Sequence, residues 1–294
     1  IAGDLAVRKT SELLTAPDEA AIEATLATLS RKSALLQSPK RCVQAVAGLT
    51  LPFAEGLAQE RRFFMECLGS DESRGMIHAF FGERAVANIP EKTATPRDIQ
   101  SIGVIGGGTM GSGISTSALM AGLPVTLVEV TDEALARGVK TITANLDGAV
   151  KRGKMSAQKR DAALAGLTAM TGLDGLDNVD LVIEAVFENM EVKKEIFGKL
   201  DRICKPGAIL ASNTSYLDID EIAATTSRPA DVLGLHFFSP ANVMKLLEVV
   251  RGEKTAPDVI QTCMRFAKRI KKVPVLVGVC HGFVGNRILF QRQA

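Results

Sequence analysis

The chain has 294 residues, 46% of them hydrophobic and 23% charged, and its 35 Lys and Arg against 33 Asp and Glu leave a net charge of +2. That length holds one large domain or two ordinary ones with a sizeable core. The near-neutral balance, the absence of Trp and the single Tyr216 give no reason to propose nucleic acid or an acidic membrane as a partner.

Residues 1–85 carry helical patterns and few strand signals. Asp18 to Ser30 places Ile22, Leu26 and Leu29 at helical spacing behind Pro17. Lys40 to Leu49 and Phe53 to Leu68 read as further helices. The latter sets Leu57, Phe64 and Leu68 among Glu60, Arg61, Arg62 and Glu66. Such mixed signs describe a solvated or packed face, not a nucleic-acid surface. Ser70-Asp71-Glu72 is placed to cap a last helix running to Arg84. These helices need a partner to cover their apolar faces. Residues 86–98 contain Pro90 and Pro96 without periodicity and read as a linker and domain boundary.

From Ile99 the pattern changes to strands alternating with helices, the signature of an α/β fold with a mostly parallel sheet. Strands are expected at Ile102 to Ile105, Val125 to Val128, Asp180 to Phe187, Ala208 to Ala211, Val232 to Phe238, Lys245 to Val250 and Val273 to Val277. Helices are expected at Ile114 to Gly122, Asp132 to Arg152, Ser156 to Leu167, Met190 to Cys204 and Pro257 to Lys271. No apolar run approaches the ~18 residues of a membrane span. Cys42, Cys67, Cys204, Cys263 and Cys280 form no CxxC, and His78 and His281 have no ligand spacing. No metal or disulfide framework is therefore expected, and a reducing, cytoplasmic compartment is the simplest reading.

Ser101 to Gly111 organises the second half. The apolar strand passes at once into Gly106, Gly108 and Gly111 and then into a helix, the context that a dinucleotide fingerprint requires. Gly106 permits the sharp turn, Gly108 lets the backbone approach a pyrophosphate, and Gly111 lets helix and strand pack closely. The second strand ends in Glu129, an acidic residue about 20 residues on that can accept from the adenosine ribose hydroxyls. Its charge would repel a 2′-phosphate, so NAD is expected rather than NADP.

In open α/β sheets ligands bind beyond the carboxyl ends of strands. The polar residues placed there are Glu184 and Glu188, with Lys193 a helical turn on, then Asn213, Thr214 and Ser215, and His236 inside an apolar run. Two readings of His236 stand open, a satisfied core histidine or a base. Glu248, the sole carboxylate of the next buried-looking strand, favours the base, because a buried carboxylate is costly unless paired. Paired to one imidazole nitrogen it fixes the tautomer and raises the basicity of the other. Glu248 on an exposed edge strand is the competing reading. A Ser-His-Glu hydrolase fits less well, since Ser215 lies in no G-x-S-x-G elbow.

Four motifs in order carry a resemblance: Gly106-Gly-Gly-Thr-Met-Gly, Ser212-Asn-Thr-Ser, His236-Phe-Phe-Ser-Pro with Met244-Lys-Leu-Leu-Glu, and Gly282-Phe-Val-Gly-Asn-Arg. Together the chain resembles the 3-hydroxyacyl-CoA dehydrogenase family, and more narrowly the multifunctional β-oxidation enzymes that fuse an enoyl-CoA hydratase ahead of the dehydrogenase. The resemblance implies a Rossmann-type NAD domain over residues 99–279. It also implies a crotonase-like helical tail over residues 1–85, and the start of a helical substrate and dimerisation domain over residues 280–294. It implies NAD-dependent oxidation of (3S)-3-hydroxyacyl-CoA to 3-ketoacyl-CoA, with His236 as base and Glu248 as its orienting partner. Ser215 and Asn286 would hold the substrate's 3-oxygen. Gly106, Gly108, Thr109, Met110, Gly111 and Glu129 would bind the cofactor, while Glu188, Lys193 and Asn213 would line its nicotinamide side.

Cys280-His281 departs from the family's usual Asp or Pro before Gly-Phe-Val, which places a titratable His281 near the site. A chain that starts at Ile1 and stops at Ala294 reads as a piece of a longer polypeptide, with the hydratase glutamates expected ahead of it. Alternatives are a dehydrogenase for a free 3-hydroxy acid, which would want an Arg or Lys clamp, and an NAD-binding module without turnover. In the parent enzyme the resemblance allows a thiolase partner or self-association, and a peroxisomal location in a eukaryote.

Overall fold

The computed structural model describes residues 16–32 and 35–293. Residues 1–15 of the predicted helical segment lie outside the described residues. The chain divides into two compact units, residues 1–85 and 86–294.

The first unit consists, among its described residues, of helices α1 (Glu19–Lys32), α2 (Ser38–Ala47), α3 (Phe53–Leu68) and α4 (Asp71–Ala85). The Asp18 side chain accepts from Ala21 N at 3.0 Å, and Ser70 Oγ accepts from Ser73 N at 3.1 Å, so a polar residue with an oxygen at the right place starts two of these helices. Arg41 of α2 pairs with Glu66 of α3 at 2.7 Å and lies over the Phe63 ring. No residue of α2, α3 or α4 is fully buried, whereas Phe53, Leu57, Phe64, Met76, Phe80 and Phe81 are all exposed. Apolar faces this bare are a surface built to be covered.

The second unit is an eight-stranded sheet flanked by helices. Its strands are β1 (Ile102–Ile105), β2 (Val125–Glu129), β3 (Leu167–Thr171), β4 (Leu181–Glu184), β5 (Ile209–Ser212), β6 (Val232–Phe237), β7 (Leu246–Arg251) and β8 (Val273–Gly278). The spatial order is β3-β2-β1-β4-β5-β6-β7-β8. The first six follow the doubly wound Rossmann order. Every pairing is parallel except β6 with β7. The helices are α5 (Thr109–Met120), α6 (Asp132–Lys151), α7 (Ala157–Ala165), α8 (Met190–Ile203), α9 (Ile219–Ala223), α10 (Pro257–Arg269) and α11 (Gly285–Gln293). One apolar layer packs Ile114, Ile142 and Phe266 on one face of the sheet; the other packs Phe197, Leu200 and Ile222 on the opposite face.

Three expectations change. The predicted helix Ser156 to Leu167 stops at Ala165, and Leu167–Thr171 is instead the edge strand β3, whose half-exposed pattern hides its period. The strand expected over Asp180 to Phe187 ends at Glu184, because the Glu184 carboxylate turns back to accept Val186 N at 2.8 Å. Residues 86–98 form no free tether within the second unit. Ile89 is buried there, Glu91 pairs with Arg251 at 2.7 Å, and Arg97 pairs with Asp231 and Asp258, each at 2.7 Å. Partners more than a hundred residues away leave no trace in local composition.

Candidate active site

The crevice above β1 and β4, where the strand order reverses, is framed by the glycine turn. Gly106 has φ +98°, and a Cβ there would stand 2.6 Å from the Ala185 carbonyl oxygen. At Gly111 a Cβ would run into the Gly106 carbonyl oxygen. Both glycines are thus required by the protein itself. Gly108 differs: a Cβ on it meets nothing within 4 Å, so the bare backbone there faces open space. It precedes α5, which no side chain caps, so the first N–H groups of the helix are directed at that space. A cleft of about 320 Å³ continues past Thr109, Glu129, Arg137 and Asn242. One oxygen of Glu129 accepts Gly107 N at 2.6 Å, which locks the acidic residue to the turn. Gly107 and Gly138 of α6 meet backbone to backbone, a close approach that the fingerprint did not announce. Met110 is half-buried and packs on the core below. An unobstructed turn, a helix start and a carboxylate at its rim fit the pyrophosphate and ribose of a dinucleotide.

His236 and Glu248 face each other across the β6–β7 ladder, with Nδ1 and Oε2 2.7 Å apart. Both are buried, at 4% and 1% exposure, and β7 lies between β6 and β8, so Glu248 is no edge residue. Burial pushes its carboxyl up, but the hydrogen bond with His236 and the N–H groups of Gly285 and Val284, at 2.8 and 3.0 Å, outweigh it and hold Glu248 below the ordinary carboxylate range. A carboxylate only accepts, so Nδ1 carries the hydrogen and Nε2 presents a lone pair. The rings of Phe238 and Phe283, with centroids 4.5 and 5.6 Å from that of the imidazole, wall it in.

Ser215 is held by its backbone. Its N–H donates to Glu188 Oε1 at 2.6 Å, and its carbonyl accepts Asn286 Nδ2 at 3.5 Å, which brings the β5 loop and the start of α11 together. Asn213 is partly committed elsewhere: its Oδ1 accepts Phe237 N at 2.9 Å, tying β5 to β6. Lys193 lies deeper than expected of a residue lining a cofactor. It is fully buried, with Nζ 2.7 Å from Glu184 Oε1 and 3.3 Å from Glu188 Oε2. Glu184, also fully buried, takes Ser212 Oγ at 2.6 Å on its other oxygen. Glu184 stands in the sequence among the polar strand ends but without a role, although it is the lone carboxylate of a buried strand, the same signal that singles out Glu248. Lys272 was missed: this buried lysine binds the carbonyls of Ala241 and Met244, beside the cleft-lining Asn242.

Residues 101–280 match the family described as 3-hydroxyacyl-CoA dehydrogenase, NAD binding domain. The chain belongs to that family. Its cofactor is NAD. It is 44% identical over 260 residues to the peroxisomal bifunctional enzyme of Cavia porcellus, covering 86% of this chain and 36% of that protein. It is 40% identical over 253 residues to the peroxisomal fatty acid β-oxidation multifunctional protein AIM1 of Arabidopsis thaliana, covering 85% and 35%. The chain thus spans about a third of the length of these relatives. Among solved structures, 3-hydroxybutyryl-CoA dehydrogenase from Escherichia coli superposes with a TM-score of 0.64 at 42% identity over 65% of this chain and 41% of that one. Among the described residues no helix is long and apolar enough to cross a membrane.

Proposed function

We propose that this chain carries the dehydrogenase chemistry of a multifunctional β-oxidation enzyme, the oxidation of (3S)-3-hydroxyacyl-CoA to 3-ketoacyl-CoA. The observation that carries the reading is the buried His236–Glu248 pair within the NAD-binding domain. NAD, when bound, supplies the hydride acceptor for C3. His236 Nε2 takes the proton of the 3-hydroxyl, and Glu248 stabilises the imidazolium as it forms. Ser215 Oγ and the Asn286 amide donate to the 3-oxygen as it becomes a carbonyl. Gly106, Gly108, Thr109, Met110, Gly111 and Glu129 hold the adenosine and pyrophosphate side, and Asn213, Glu188 and Lys193 border the nicotinamide side.

We read residues 1–85 as the helical tail of a crotonase-like hydratase domain, a reading supported by their exposed apolar faces. We read residues 280–294 as the opening of a helical substrate domain. Peroxisomal relatives support a peroxisomal location in a eukaryotic host, with the cytoplasm as the bacterial counterpart. A thiolase partner or self-association belongs to the same reading of the whole enzyme. The deciding experiment follows NADH consumption with acetoacetyl-CoA, first for this chain and then for a longer parent that includes the substrate domain. Turnover that disappears in H236Q supports the assignment. NADH binding without turnover in either polypeptide would leave an NAD-binding module, and turnover of free 3-keto acids but not thioesters would point to the other dehydrogenase class.

A further inference from the structure

Two fully buried charged residues lie beneath the site: Glu184, which has no role above, and Lys193, placed so far only at the border of the nicotinamide side. A buried ion pair is a poor source of stability, since apolar replacements of similar volume are often neutral or stabilising. Its place in the fold is more informative. Glu184 ends β4, Ser212 ends β5, and Lys193 reaches back to them from the first turns of α8.

The hydrogen bonds and ion pairs run in one line. Ser212 Oγ donates to Glu184 Oε2 at 2.6 Å, and Lys193 Nζ bridges from Glu184 Oε1, at 2.7 Å, to Glu188 Oε2, at 3.3 Å. The other oxygen of Glu188 accepts both Thr214 Oγ1 and Ser215 N, each at 2.6 Å. Glu188 is the only carboxylate of the line that reaches solvent, its side chain being 26% exposed beside a lysine that is 1% exposed. Free of Lys193, it would gain hydration by swinging outward and would release Ser215 N–H as it went.

We propose that Glu184 and Lys193 are positioning residues for Ser215: they anchor Glu188, and Glu188 fixes the main chain from which the Ser215 hydroxyl is presented. This inference rests on the role given to Ser215 under the proposed function. It shifts Glu188 and Lys193 from bordering the cofactor to aligning the group that meets the substrate oxygen.

The test has two readouts on E184Q, E188Q and the double variant. The first is amide hydrogen exchange at Ser215 in the chain with NADH, which needs no turnover. A relay predicts that E184Q, one lysine removed from the serine, speeds exchange at Ser215 about tenfold while the β1 and β2 amides stay protected. The second is the reduction of acetoacetyl-CoA. It should show kcat down by about tenfold or more, the scale of a sub-ångström to 1 Å misplacement, with KM for NADH within about twofold in E184Q. In the double variant the effects should not multiply, as coupled sites require. Should E184Q fail to fold, S212A loosens the same carboxylate from its far side and is expected to act in the same direction. Unchanged Ser215 exchange in E184Q and S212A, or multiplying effects in the double variant, would overturn the relay. Faster Ser215 exchange with no turnover either in the unmodified chain or in the longer parent that includes the substrate domain would uphold the relay while refuting the proposed function.

Discussion

Glu248 Oε2 binds His236 Nδ1 at 2.7 Å across directly paired positions of β6 and β7. Orientation of the imidazole is therefore written into strand register, not left to a loop. H236Q is expected to lower kcat with acetoacetyl-CoA by about 10²-fold or more, the usual contribution of a general base. E248Q keeps the shape of the partner but can turn a donor toward Nδ1, and kcat should fall by at least about tenfold with NADH affinity unchanged.

The same carboxylate sets an acid limit on stability. The folded Glu248 carboxyl binds fewer protons than the unfolded one, because its hydrogen bonds outweigh its burial. Its stabilisation is in full above the ordinary value of 4.5 and is lost as pH falls through the lowered folded value. Urea unfolding at stepped pH should show the gap between the unmodified chain and E248Q closing below that range; a constant gap would contradict it.

Lys272 has the same sign of pH dependence at the alkaline end, but here the lowered value marks a cost to the charged form. Burial lowers the pKa of its ammonium from 10.5, so the unfolded chain binds this proton more readily and stability gains as pH climbs toward 10.5. K272M should flatten that alkaline rise. It should also cost about 1–3 kcal/mol near neutrality, since the carbonyls of Ala241 and Met244 lose their donor.

The glycines separate by what their Cβ would meet. G106A forces alanine into a left-handed backbone at about 1–2 kcal/mol and against the Ala185 carbonyl, and should destabilise the fold. G108A meets no protein atom within 4 Å and should unfold like the unmodified chain, yet bind NADH at least about tenfold more weakly because the methyl occupies the pyrophosphate's approach. Fluorescence titration with NADH beside denaturant melts distinguishes the two; G108A with intact affinity would remove the turn from the cofactor site.

Glu129 stands at the rim of the cleft with one oxygen held by Gly107 N. NADH should bind at least about tenfold more tightly than NADPH, on the scale of one lost charged hydrogen bond. E129A should narrow that ratio, while equal affinities in the unmodified chain would refute the ribose assignment.

Much of this was legible in the sequence, and the reasons differ from residue to residue. The glycine turn and Glu129 announce themselves because their spacing is set by local geometry. His236 and Glu248 stand out as polar residues in apolar runs, although nothing local says that their strands run antiparallel and make them direct partners. Glu184 gives the same signal beside Glu188, but its ion pair with Lys193, nine residues on, depends on the packing of α8 against the sheet, which no local pattern states. The half-exposed edge strand β3 and the strap of residues 86–98 were hidden for another reason, since both owe their conformation to neighbours remote in sequence.

Glu248 also reaches forward, its second oxygen gripping the N–H groups of Val284 and Gly285 immediately before Asn286. One side chain therefore serves as the common reference point for the imidazole and for the amide expected to face it across the substrate. A change that displaces this one carboxylate therefore disturbs both groups at once, and neither can be realigned independently of the other.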